Sequence, residues 1–230
     1  MQDDMVRVSG GEVALGTSVD EAERSAVDAG FHPSWLSGEV PERRVVLEAF
    51  LIDPAPVTNR QYVRFVQETG HPAPTGLPGD APIWPGERPT DDLLDHPVVR
   101  VSRIDARAYA DWAGVRLPTA AEWEHAARGD DGRRYPWGDV FDPDLCHWRA
   151  TSTAPVGAYP RGASPFGVLD MAGNVDEWCD DGPSEYCGFR KGGSFVTRHP
   201  VNLRAAARIM CGVGGETSRF TGFRCARSLP

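Results

Sequence analysis

The chain has 230 residues, with 24 Lys+Arg against 33 Asp+Glu and a net charge of −9. That length suits one large domain or two small ones. No run approaches the roughly 18 apolar residues of a membrane span, and the acidic balance argues against a general nucleic-acid binder. Gly (25) and Pro (20) are abundant and seven Trp are scattered through the sequence, which is the composition of a loop-rich globular domain. The opening MQDDMVRV lacks the basic-then-apolar pattern of an export signal, so the expected location is the cytoplasm. The five cysteines (146, 179, 187, 211 and 225) form no CxxC and are expected as reduced thiols.

Two short alternating runs, Met5–Val8 and Glu12–Leu15, flank Ser9-Gly10-Gly11 and predict a hairpin. Residues 16–42 show no clean period and read as loop. The Val- and Leu-rich stretch 44–52 predicts a strand closed by Pro54 and Pro56. Three capping signals follow, at Thr58-Asn59-Arg60-Gln61, Ser102-Arg103-Ile104-Asp105 and Thr119-Ala120-Ala121-Glu122. Each predicts a helix, stopped by Gly70, Gly114 and Gly129 respectively. Spacing turns Ile104, Ala108 and Trp112 inward on the second helix, and Trp123, Ala126 and Ala127 on the third. Residues 71–97 are proline-rich and irregular. Periodicity fades beyond residue 130, with short strands expected over 192–196, 203–210 and 221–227. The reading is one α+β domain over residues 1–230 with little regular structure.

Charge is uneven. Residues 185–230 hold eight basic side chains against Glu185 and Glu216. Either they pair with the acidic N-terminal part, or they form a basic wall toward an anionic substrate. Asn174 and Glu177, in Met171-Ala172-Gly173-Asn174-Val175-Asp176-Glu177-Trp178, offer hard oxygens of the kind calcium takes. The alternative is a turn in which Asn174 is left-handed and Glu177 caps a backbone amide. Lys191-Gly192-Gly193-Ser194 is not a phosphate loop, because the glycines are not followed by Gly-Lys-Ser/Thr. Its glycines allow close approach of a ligand or of another backbone segment. No histidine pair has ligand spacing, and no nucleophile elbow is present.

Taken together, Pro56-Val57-Thr58-Asn59, His96-Pro97-Val98-Val99-Arg100-Val101-Ser102, the run Trp112–Glu124, Tyr135-Pro136-Trp137-Gly138, the run Phe166–Trp178, Lys191-Gly192-Gly193-Ser194-Phe195 and Gly222-Phe223-Arg224-Cys225 resemble the formylglycine-generating enzyme, or sulfatase-modifying factor, family. The resemblance implies a C-type-lectin-like α+β fold. It implies structural calcium at Asn174 and Glu177, with the carbonyls of Ala172 and Val175. Family members that make formylglycine hold copper through two cysteines soon after Gly-Gly-Ser. Thr197 and Asn202 stand at those positions here, and neither is the soft ligand Cu(I) needs. The chain is also similar to the lectin-like part of sulfoxide synthases, without their iron-binding helical bundle.

These readings lead to a stand-alone oxidative or tailoring enzyme with an altered site, not a formylglycine generator, or to a non-catalytic ligand-binding module. The expected pocket contains Ser194, Thr197, His199, Asn202, Trp178 and Arg208. Ser194 and Trp178 form its floor, His199 serves as acid, base or ligand, and Arg208 grips a carboxylate. The expected partner is a small molecule or peptide bearing a carboxylate, with neither nucleic acid nor membrane involved.

Overall fold

In the computed structural model, residues 4–75, 83–182, 184, 187–210 and 217–229 are described. Cys211, Glu185 and Glu216 lie outside them. Strands β1 (Val6–Val8) and β2 (Gly11–Leu15) form as expected, but they do not pair with each other. Helix α1 (Val19–Ala29) comes next, then β3 (Arg43–Leu47) and β4 (Phe50–Ile52). β2 pairs antiparallel with β3, and β1 with β4. The strand read over 44–52 is therefore two, broken at Glu48-Ala49. The reason is at Gly10, where a Cβ would lie 2.5 Å from the Ala49 amide nitrogen. The glycine pair admits this crossing backbone instead of turning a hairpin.

α1 corrects the loop reading of residues 16–42. The Ser18 side chain accepts from the Glu21 N–H, and Gly30 ends the helix at φ 71°. Its inward face is Ala22, Ser25 and Ala26, while Val19 and Val27 are exposed. A face of small residues with valines outside leaves little hydrophobic period to read.

Helices α2 (Asn59–Thr69), α3 (Arg103–Ala113) and α4 (Ala120–Arg128) start at the three expected caps. In each, the Thr58, Ser102 or Thr119 side chain and its partner Gln61, Asp105 or Glu122 bond each other's backbone. α4 buries Trp123, Ala126 and Ala127 as predicted. On α3 the buried face is Ala106, Tyr109 and Ala110, and Ile104 is 46% exposed. Tyr109 turns this stripe inward by stacking on Tyr62 at 5.7 Å and meeting Phe223 edge-on at 5.3 Å. Asn59 ties α2 to the irregular segment after it. Its side-chain amide donates to the carbonyls of Leu93 and His96 and accepts from the Trp84 indole.

The C-terminal half supplies β5 (Asp176–Trp178), β6 (Phe189–Lys191), β7 (Arg208–Met210), β8 (Thr221–Gly222) and β9 (Ala226–Ser228). One sheet runs β7-β6-β5-β8, with β5 and β8 parallel; β9 closes a second as β1-β4-β9, and β2-β3 forms a third. Residues 192–196 form a turn, not a strand, because Gly192 and Gly193 take φ of 93° and 63°. The two larger apolar clusters are one around Tyr62, Tyr109, Trp178 and Phe223 and one around Phe50, Trp123, Met171 and Cys179. Cys146, Cys179 and Cys225 are buried thiols, but Cys187 is disulfide-bonded, which corrects the all-reduced expectation.

Candidate functional site

The charge asymmetry resolves residue by residue. Arg190 pairs with Asp176, Lys191 with Glu124 at 2.9 Å, Arg204 with Glu39 at 3.1 Å, and Arg224 with Glu177 at 2.6 Å. Half of the C-terminal basic residues therefore neutralise buried acids from earlier in the chain. Glu124 is held below the usual carboxylate range although burial pushes it up, because Lys191, the Gly16 amide and Arg128 all favour its anion.

Asn174 does sit in the left-handed region, at φ 58°. Its amide N–H donates to the His147 carbonyl, and its own carbonyl accepts from the Phe195 N–H. Its side chain forms a two-way pair with the Ala154 backbone, both bonds at 3.1 Å. Gly173 adds a bond to the Gly192 carbonyl, and Ala150 one to the Phe195 carbonyl. This one asparagine thus fastens residues 147–154 to the Gly-Gly-Ser turn. Gly193 is required there because a Cβ would lie 2.6 Å from the Asn202 carbonyl oxygen. Close approach of a second backbone is the use the tandem glycines serve.

The residues expected to hold calcium do not fit a cation. Glu177 is completely buried; one oxygen accepts from Arg224 Nη2 at 2.7 Å, the other from Arg224 Nε at 2.6 Å and the Trp123 indole at 2.9 Å. A divalent ion on this carboxylate would have to displace or face a buried guanidinium. The Asn174 oxygen is likewise committed to Ala154. The Ala172–Glu177 run is a structural staple by this geometry. Among the described residues, no group of three His, Cys, Asp or Glu is placed to hold a metal ion.

The six expected pocket residues are not brought together. Ser194 is buried, and its N–H donates to Thr197 Oγ1 at 3.0 Å within the turn, while Asn202 is exposed. A thiolate-held copper has no ligands at these two positions. His199 caps the short 3-10 turn Pro200–Leu203 through Nδ1, and its ring lies edge-on to Phe31 and Trp35 at 5.3 and 5.2 Å. It faces a different cavity, of about 380 Å³, shared with α1. Trp178 is core, its indole bonded to the Val101 carbonyl, and the Arg208 guanidinium lies over the Phe189 ring at 4.4 Å.

What the turn and the stapled segment do enclose is a cavity of about 560 Å³ lined by Arg149, Ala150, Thr151, Val196, Arg198 and Arg219. Three of its six lining residues are arginine and none is acidic. Arg149 stands at φ 51°, outside the ordinary range for a side-chain-bearing residue. It is pinned by stacking on Trp148 at 4.4 Å and by Nε and Nη2 donating to the Arg198 carbonyl. Arg219 lies over Phe195. The sequence reading missed Arg149 because it sits in a loop with no motif. It counted Arg198 and Arg219 only as part of a basic C-terminus.

Fold and site together define a mixed α+β domain whose Gly-Gly-Ser turn is braced by an asparagine staple. The sulfatase-modifying factor enzyme 1-like domain matches residues 1–229, and the chain belongs to that family. It is 38% identical to a formylglycine-generating enzyme of Thermomonospora curvata, over 82% of this chain and 85% of that one. It is 30% identical to an inactive C-alpha-formylglycine-generating enzyme 2 of Bos taurus, over 96% of this chain and 87% of that one. Among solved structures it is similar to PvdO from Pseudomonas aeruginosa, with a TM-score of 0.77 at 24% identity, covering 98% of this chain and 94% of that one.

Proposed function

We propose that this chain is a formylglycine-generating-enzyme-family protein that binds a small-molecule or peptide ligand in the arginine-lined cavity and does not convert cysteine to formylglycine. The observation that carries the reading is the pair Thr197 and Asn202. Thr197 is absorbed in a turn bond to Ser194, and neither residue supplies a thiolate to a soft metal. Two side chains suited to acid–base work near the turn are also engaged: His199 caps through Nδ1, and Thr197 Oγ1 accepts from the Ser194 N–H. A second reading, a tailoring enzyme with different chemistry, is favoured by the pinned left-handed Arg149, since backbone strain collects where a side chain must be aimed. The test is incubation with a sulfatase-motif cysteine peptide, copper and oxygen, followed by mass spectrometry. The peptide thiol is expected to persist; robust aldehyde formation would overturn the proposal.

A further inference from the structure

The geometry points to a phosphoryl group, in preference to a carboxylate, as the ligand of the arginine-lined cavity. This deepens the ligand-binding reading above and depends on it for the location alone. The described residues lining the cavity include Arg149, Arg198 and Arg219, and none of them is a carboxylate. No ion pair to any of these three arginines is made among the described residues, whereas Arg190, Arg204 and Arg224 of the same C-terminal region are each paired with a buried acid. Three such arginines therefore share one cavity.

One of the three guanidinium groups, that of Arg149, is held in position by the protein. Arg149 spends Nε and Nη2 on the Arg198 carbonyl and lies flat on Trp148. Among the described residues its Nη1 donates to no partner, and the Arg219 guanidinium lies 6.0 Å from the centre of the Phe195 ring. Stacked arginines lose less freedom when they bind, and planar guanidinium groups match the oxygens of phosphate bidentately. A carboxylate brings one negative charge and two oxygens. A phosphate monoester brings close to two charges and three acceptor oxygens above its second ionisation near pH ~6. Three arginines with no ion pair among the described residues favour the second. Thr151 adds a hydroxyl to the lining, a further donor suited to an oxyanion.

Inorganic phosphate and phenyl phosphate represent the free ion and the esterified group, with acetate as the carboxylate comparison. Binding is measured by isothermal titration calorimetry on the full chain at pH 5 and pH 8. Phenyl phosphate is expected to saturate one site and to bind several-fold more tightly at pH 8, following its own second ionisation because arginine does not titrate there. If inorganic phosphate binds equally well, the site takes the free ion; if only the ester binds, it takes a phosphorylated molecule. Arg198→Ala and Arg219→Ala are each expected to lose about tenfold or more in affinity, and Arg43→Ala, an exposed arginine on β3 far along the chain, to lose nothing. Arg198 is exposed, so its truncation leaves the fold intact, and circular dichroism checks this. Absence of saturable binding by both phosphates, acetate binding as tightly as phenyl phosphate, or an equal loss in Arg43→Ala would each overturn the inference. None of these results alters the outcome of the peptide-oxidation assay, so the two proposals fail separately.

Discussion

Replacing Glu177 with Gln tests whether this carboxylate serves the fold or a metal. Glu177 and Arg224 are both fully buried, joined by two bonds of 2.6 and 2.7 Å, and the Trp123 indole donates to the same carboxylate. Gln keeps one acceptor oxygen and turns the other into a donor facing a guanidinium. Arg224 is left charged with that one neutral oxygen and the carbonyls of Asp53 and Leu169, and no anion. Breaking a buried pair in this way costs about 3–5 kcal/mol. At roughly 2–4 °C per kcal/mol for a domain of this size, the melting temperature should fall by about 10 °C. Urea unfolding with a double-mutant cycle is the assay. The paired change Glu177→Leu with Arg224→Met should recover more than half of the loss, because neither charge is then stranded. Millimolar calcium and chelator should leave every melting curve in place. A wild-type melting temperature raised by calcium, with the rise gone in Glu177→Gln and a stability cost under about 1 kcal/mol, would refute the structural account.

Gly193→Ala should destabilise the protein by about 2 kcal/mol or more, read by denaturant midpoint, since it combines a φ of 63° with a Cβ 2.6 Å from the Asn202 carbonyl oxygen. Burial raises Asp176 to about 6 despite Arg190 beside it. A carboxyl raised above its unfolded value of 3.8 holds its proton more tightly when folded. Its stabilising contribution is therefore present below pH ~4 and is lost as pH rises through about 6. The stability of Asp176→Asn relative to wild type should improve by about 2–3 kcal/mol between pH 4 and pH 7, measured by urea unfolding across that range. Finally, Thr197→Cys with Asn202→Cys should gain Cu(I) affinity over wild type in a competition titration with a chromogenic chelator, because it restores two soft donors.

The parts of the fold legible in the sequence are those governed by local chemistry. Thr58, Ser102 and Thr119 announce their helices because a cap and its return bond lie three residues apart. Pairing of β1 with β4 was not legible, since it depends on a backbone crossing at Gly10 from residues 47–49. Helix α1 was hidden because its buried face is Ala, Ser and Ala. At the candidate site, the absence of a thiol at Thr197 and Asn202 could be read directly from the sequence. The use of Glu177 could not, because its partner Arg224 lies 47 residues away. The arginine cavity was equally invisible: Asn174 ties the segment of Arg149 to the turn that precedes Arg198, and the Asp176 N–H bonds the Phe220 carbonyl next to Arg219.

That tie separates two jobs that loops usually share. The bonds joining residues 147–154 to the Gly-Gly-Ser turn come from backbone groups and from Asn174, whereas Arg149, Thr151, Val196 and Arg198 contribute side chains to the rim. Apart from Arg149, whose backbone conformation is unusual, substitution at the rim leaves the fastening untouched. A combinatorial library at 151, 196, 198 and 219 should therefore yield mostly folded proteins with new ligand preferences, while the same diversity at 173, 174 or 193 should yield few. The rim can drift toward a new ligand without the framework having to drift with it.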